Sequence, residues 1–421
     1  MTPGKFTVDT HLFRELGELL VGRDSTALVE LIKNAYDADA TEIIVNGVSL
    51  DNPAEGYIVI DDNGVGMEPQ QFQDGFLRIA SRLKEQGERV SKRFKRRFTG
   101  AKGIGRLAAH KLAKVLDIYS ISLQTNGSKK EAISARIDWD AIESKETLDQ
   151  VSDSDIAVET IPVPQSSKTG TEITLRHLRR RWTPAERGRF IAEARTFEPP
   201  KVLTSPLPRN IVERTLLFDT PQVRDSSNDD LGFHIELRGD FAGGDEFWQA
   251  VAHAAAWIIE IDAQPGNKTV QYAIAPTLQT IRQHPNAIRQ DFSFDHPYPD
   301  NGPFFQARIL LREGTLRVSR EERAWASQAS GVRVFMEGFR VLPYGELGND
   351  WLSLDLDYTR RSRSLTLLDD DVLSKVGPDD ERDPDWALNI LRNNSFFGAV
   401  FLTQDRAPSL KMRDYSIFTG F

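Results

Sequence analysis

The segment Leu28–Thr41, LVELIKNAYDADAT, constrains the fold of this chain more than any other stretch. Ala27, Leu28, Leu31, Ile32 and Ala35 give an apolar stripe at helical spacing. Asp24 and Ser25, just before it, are residue types that cap helix starts. Glu30, Asn34 and Asp37 fall at i, i+4 and i+7, so their side chains stack along one face. A carboxylate, an amide and a second carboxylate beside an apolar seam suit a site for a metal ion and phosphates. Taken alone, the pattern fits the solvated side of an amphipathic helix better, and the order of the elements that follow overturns that reading.

A strand, Glu42–Val48, comes next, and then a second, Tyr57–Ile60, which runs straight into DDNGVGM at Asp61–Met67. Later comes GAKGIGR, Gly100–Arg106, opening an apolar helix over Leu107–Val115. TGTEITL, Thr169–Leu175, reads as a Gly-Thr turn feeding a strand. Each motif alone is weak, because Asp-Asn-Gly is first of all a turn and glycine-rich loops before helices are common. Four in this order resemble the GHKL superfamily: the ATP-binding domains of gyrase B, the heat-shock ATPase chaperones, MutL, MORC proteins and histidine kinases. The resemblance covers residues 10–180 with specific motifs and continues more weakly beyond. It implies an α+β architecture: a Bergerat-type ATP-binding α/β sandwich, with a mixed sheet and helices on one face, followed by a transducer-like α/β domain.

The resemblance also implies roles. Asn34 offers an amide oxygen, a hard ligand suited to Mg²⁺, which otherwise keeps waters and phosphate oxygens. Asp37 would steady the nucleotide site through waters, and Glu30 would hold and deprotonate the water attacking the γ-phosphate. The Asp-x-Gly-x-Gly register puts Asp62, rather than Asp61, opposite the adenine amino group. A carboxylate built to accept from that amino group can reject a base lacking it by roughly 10⁴–10⁵, so ATP is expected over GTP. Gly64 and Gly66 permit a tight turn, and Met67 would lie under the base. The loop of Gly100, Gly103, Ile104 and Gly105 would turn backbone amides towards phosphates, with Lys102 and Arg106 as counter-charges. Thr171 matches the hydroxyl near the adenine. The loop does not follow a strand as a dinucleotide-binding fingerprint would, and no GxxxxGK[ST] phosphate loop occurs. His110 reads as a packed or lid-facing residue rather than a catalyst.

At 421 residues the chain can hold two or three domains. No apolar run approaches the length of a membrane span, and residues 1–10 lack the apolar core of a signal peptide. There are no cysteines, which excludes disulfides and thiolate metal sites; a cytoplasmic location is expected. A net charge of −9 argues against non-specific nucleic-acid binding. Two basic runs cut the other way, Lys92–Arg97 and Arg176–Trp182, and the first immediately precedes the glycine loop, where phosphate charge must be balanced. His11–Val21 reads as a short amphipathic helix, of the kind that in this superfamily packs on, or swaps to, a partner subunit. Residues 82–106 correspond to the family's ATP lid.

Further strands are expected at Val115–Leu123, Glu131–Ile137, Phe233–Leu237, Thr269–Ala275 and Phe304–Leu311, and a helix at Asp245–Ile261. Ser144–Lys168 reads as a polar loop, 200–230 as a linker, and Gly331–Gly345 as a hairpin turning at Glu337-Gly338. The division expected is an ATP-binding domain over 1–215 and a transducer-like domain over 216–421, in which Arg333, Arg340, Arg360 and Arg361 are candidates to reach the γ-phosphate. GFRVLPYGELGNDWLSLD and RNNSFFGAVFLT resemble segments of bacterial MORC-like and heat-shock-like ATP-binding proteins. The expected function is Mg²⁺-dependent ATP hydrolysis coupled to lid closure and homodimer clamping, within a larger bacterial system linked to DNA or phage defence. The alternatives are a nucleotide-gated binding module with little turnover, and a histidine kinase ATP-binding domain. The last fits poorly, because His11 is the sole histidine before the key helix and lacks an acceptor motif. A complete topoisomerase subunit or mismatch endonuclease is not expected.

Overall fold

The computed structural model describes residues 7–15, 23–78, 90–96, 98–99, 107–122, 130–152, 155–225, 229–243, 251–312, 330–345, 348–360, 391–407 and 410. The chain divides into two compact units, one within Met1–Arg195 and Asp229–Gly244, the other within Thr196–Asn228 and Asp245–Lys411.

In the first unit the described strands are β1 (Glu42–Val48), β2 (Tyr57–Asp62), β3 (Ala113–Ile121), β4 (Glu131–Asp138), β5 (Ile156–Pro162), β6 (Gly170–Leu178) and β7 (His234–Gly239). They form one sheet in the order β5-β4-β3-β6-β2-β1-β7. The sheet is mixed: β7 joins β1 in parallel, whereas the other neighbours are antiparallel. Alternation sets its buried face, since Ile43 and Val45 of β1 and Ile58 and Ile60 of β2 are all at most 2% exposed while their neighbours in sequence are not. The helices are α1 (Asp24–Asp37), α2 (Leu107–Leu112), α3 (Trp139–Glu143) and α4 (Pro184–Ala194). Leu28, Leu31, Ile32 and Ala35 bury the apolar stripe of α1, and α1 packs on α2 and α4.

Several expectations change in this unit. Asp24 and Ser25 stand inside the first turn of α1, and Arg23 holds the cap position with no side-chain bond. Asp24 still serves the helix start, as a first-turn carboxylate that accepts from Arg180 Nε at 2.6 Å. The helix over Leu107–Val115 stops at Leu112, because Ala113–Val115 already pair with β6 and β4. Ser144–Lys168 is not a loop throughout: Ile156–Pro162 forms the edge strand β5 on β4. This edge strand is exposed along nearly its whole length, Val158 and Ile161 included. Of His11–Val21, residues 12–15 are helical and 16–21 lie outside the described residues. This segment lies on its own unit: Thr10 Oγ1 donates to Lys145 O, and the Phe13 and Trp139 rings are 5.4 Å apart.

The second unit holds β8 (Trp257–Ala263), β9 (Thr269–Pro276), β10 (Gln290–Asp295), β11 (Phe305–Leu311), β12 (Gly331–Met336), β13 (Phe339–Val341) and β14 (Phe396–Leu402). Their order is β10-β9-β8-β11-β14-β12-β13, with β12 and β14 parallel. The expected helix over Asp245–Ile261 is overturned in its second half, where Trp257–Ile261 belongs to β8 between β9 and β11. A short apolar run fits either period, and two antiparallel neighbours settled it. The hairpin turn is where the sequence put it: Met336 pairs with Phe339, and Glu337 and Gly338 have φ of 52° and 74°, the left-handed pair that a tight hairpin requires.

The expected linker is largely packed. Leu203, Ile211 and Val212 belong to the core that contains Ile258, Leu310 and Phe401. Buried Arg308 fastens the same stretch, donating to Glu260 Oε1 at 2.8 Å and to the carbonyls of Leu203, Ser205, Phe218 and Asp219.

Candidate functional site

Among the fourteen residues of α1, only Thr26, Glu30, Lys33 and Asn34 are not buried. They make one open stripe, with the Asn34 side chain exposed. Lys33 Nζ donates to Glu30 Oε1 at 2.8 Å, with the two side chains 15% and 19% exposed. Asp37, at the end of the stripe, is buried, and its Oδ1 accepts from Thr99 N at 2.8 Å and Thr99 Oγ1 at 2.9 Å. Asp37 thereby fixes the residue directly before the glycine loop. Gly100, Lys102, Gly103, Ile104, Gly105 and Arg106 lie outside the described residues.

The Asp-x-Gly-x-Gly segment is built against both α1 and the strand ends. Val65 N donates to Ala38 O at 2.9 Å, just past the end of α1. A Cβ on Gly64 would stand 2.6 Å from that same carbonyl, and one on Gly66, whose φ is +65°, would stand 2.1 Å from Ile121 O. Neither glycine can be replaced without moving backbone. Asp62 Oδ1 accepts from Gly64 N at 2.8 Å, and the Thr171 N–H across the sheet also serves this carboxyl. Burial nevertheless pushes Asp62 up to about 7, with the neighbouring Asp61 charge adding to the rise. Met67 N donates to Ser120 Oγ at 2.9 Å, and Ser120 Oγ and Thr171 Oγ1 share a hydrogen bond of 2.8 Å. Asp62, Gly64, Gly66, Met67 and Thr171 thus meet at one end of β2, β6 and β3.

Ser120 and Lys33 were missed by sequence reasoning. Lys33 carried a readable signal, since i, i+3 pairs meet on a helix. Ser120 carried none, because its role comes from standing opposite Thr171 in the β3–β6 register.

Lys92, Arg93, Lys95 and Arg181 of the basic runs are exposed, whereas other cations of the runs are engaged within the fold. Arg96 is 1% exposed, and its guanidinium grips Asp230 at 2.6 and 2.5 Å and the carbonyls of Tyr36, Ala40 and Gly232. Asp39, with φ +60°, accepts from Ser91 Oγ and from the N–H groups of Arg93 and Phe94, so residues 91–96 are fastened to the end of α1. In the second run Arg176 meets Asp117, Arg179 meets Glu143, and Arg180 meets Asp24 and Glu186. His110 is packed, as expected: its Nε2 bonds Glu143 Oε1 at 2.5 Å, its ring meets Trp139 edge-on, and burial lowers its pKa. Arg333 and Arg340 are buried within the second unit, at 2% and 7% exposure. Arg361 and the side chain of Arg360 lie outside the described residues.

Residues 23–171 match the model of the histidine kinase-, DNA gyrase B- and HSP90-like ATPase family. The chain is 37% identical over 92 residues to a candidate type II restriction enzyme, HgiDII, of Herpetosiphon aurantiacus, a match covering 22% of this chain and 14% of that protein. It is 26% identical over 141 residues to the DNA mismatch repair protein MutL of Exiguobacterium sibiricum, covering 33% of this chain and 21% of that protein. The chain therefore spans a small part of the curated relatives it matches. A crystal structure of the N-terminal domain of a DNA repair protein aligns with 20% identity and a TM-score of 0.25 over 40% of this chain and 39% of that one. Residues 23–171 carry the likeness to the GHKL ATPase superfamily.

Among the described residues no helix is long and apolar enough to cross a membrane.

Proposed function

We propose that this chain binds ATP with Mg²⁺ and hydrolyses it, using the open stripe of α1 and the Asp62 cluster as its site. The observation that carries the reading is Asp62 at the end of β2, whose carboxyl takes the Gly64 and Thr171 N–H groups. In this reading Asp62 accepts from the adenine amino group, and the Ser120–Thr171 hydroxyl pair lies beside the base. Glu30 orients the water that attacks the γ-phosphate and takes its proton, the positioning role that phosphoryl transfer demands.

An ion held on a triphosphate needs few protein ligands. Among the described residues no group of three or more His, Asp or Glu is placed to hold a metal, whereas the exposed Asn34 amide suits a single ligand. Bound there, Mg²⁺ would neutralise charge on the phosphate oxygens.

The loop Gly100–Arg106 would cover the phosphates, and its closure would be sensed through the Asp37–Thr99 contact. We further propose that closure favours a homodimer, and that the chain is the MORC-like or heat-shock-like ATPase component of a bacterial system acting on DNA. The names of the restriction enzyme and MutL relatives support that context; the net charge does not call for direct DNA binding. The domain division we propose follows the motif order, a nucleotide-binding part and then a transducer-like part.

The test is steady-state ATP turnover of the wild type beside Glu30→Ala, with ATP affinity and solution mass measured for both. Binding retained with turnover lost in Glu30→Ala is the expected result. Turnover absent from the wild type, alone and with DNA, would sink the hydrolase reading and leave a nucleotide-gated binding module.

A further inference from the structure

We propose that Lys33 is the positioning residue for Glu30, holding one carboxylate oxygen so that the other faces the attacking water. This rests on the reading of Glu30 given above. Three observations support it. Lys33 is the only lysine or arginine within α1, and it lies on the open stripe with Glu30 and Asn34. Its Nζ reaches Oε1 alone, at 2.8 Å, and Oε2 accepts no hydrogen bond from the described residues. The two side chains are also largely shielded, at 15% and 19% exposure, so the pair is held more firmly than a surface ion pair, yet the carboxylate remains reachable.

The physical need is plain. A general base must be presented within hydrogen-bond reach of its proton, and a glutamate with three side-chain torsions does not hold one direction unaided. A bare carboxylate would also repel the γ-phosphate it has to approach. An ammonium bonded to Oε1 answers both, fixing the rotamer and compensating the charge without occupying Oε2.

The experiment uses the full chain with MgATP and compares wild type, Lys33→Met, Lys33→Arg, Glu30→Gln and the Glu30→Gln/Lys33→Met double variant. Lys33→Met should lower kcat roughly ten- to a hundredfold, the scale set by misplacing a catalytic group, with KM little changed. Lys33→Arg, which keeps the cation, should recover most of the loss. On the Glu30→Gln background, Lys33→Met should add nothing, because the two residues act as one unit. A Lys33→Met protein with wild-type kcat overturns the proposal. So does one whose KM rises with kcat intact, which would make Lys33 a phosphate-binding cation. A full additional loss on the Glu30→Gln background also overturns it, and this comparison holds even where Lys33→Met lowers stability. If Glu30→Gln itself turns over at the wild-type rate, or the wild type does not hydrolyse ATP, the reading of Glu30 falls and this inference falls with it.

Discussion

Burial lifts the Asp62 carboxyl from its ordinary value of 3.8 to about 7, against the pull of the Gly64 and Thr171 N–H groups. The folded protein therefore binds this proton more tightly than the unfolded chain does. Its contribution to stability is fully present below pH 3.8, and it is lost as pH rises through about 7. Acceptance of an amino group calls for the ionised form, so nucleotide affinity moves the opposite way. ATP affinity should fall as pH drops below 7, by up to about tenfold per unit, with a proton released on binding at pH 6. Calorimetry in two buffers of different ionisation enthalpy measures both, and a pH-independent affinity between 6 and 8 would count against Asp62 as the base acceptor. Asp62→Asn should abolish the selectivity for ATP over GTP. Gly66→Ala should cost about 1–3 kcal/mol of strain and weaken ATP binding, since its φ is positive and Ile121 O lies in the way.

The end of α1 works as an anchor for the segment leading to the glycine loop. Asp37 holds Thr99, Asp39 holds 91–94, and Arg96 ties the carbonyls of Tyr36 and Ala40 to Asp230. Arg96 also stacks 4.6 Å over the Tyr36 ring. Removing one partner of a buried pair leaves the other charge uncompensated, so Arg96→Met should cost about 3–5 kcal/mol, seen as an early loss of the first unit in thermal unfolding. Asp37→Ala should be milder in stability but should raise KM for ATP, because it removes the acceptor that holds Thr99 at the start of the glycine loop. The sequence put Arg96 in a basic run suited to phosphates; only the fold shows that this cation faces inward.

For the whole molecule the clamp reading makes one clear demand. Solution mass should rise towards that of a dimer with a non-hydrolysable ATP analogue and Mg²⁺, and fall back with ADP. Multi-angle light scattering reads this directly, and a mass unchanged by nucleotide would remove dimer closure from the account.

Local pattern was enough for the elements that carry the site. The stripe and face of α1 follow from a period of 3.6, and the tight turns at Gly64 and Gly66 and at Glu337-Gly338 follow from residue type, because these signals live within a few residues of one another. The end of the Leu107 helix, strands β5 and β8, and the return of β7 to the first sheet were not legible. Each depends on a neighbour far away in sequence, and an edge or a short apolar run has no period of its own to announce it. In the same way the sequence by itself determined that Glu30, Asn34 and Asp37 would share one face of a helix. The tertiary structure alone decided that Ser120 would stand opposite Thr171 and that Arg96 would be buried on Asp230. Hydrogen-bond partners and burial are set by strand register and packing, and those come into being only when distant parts of the chain are brought together.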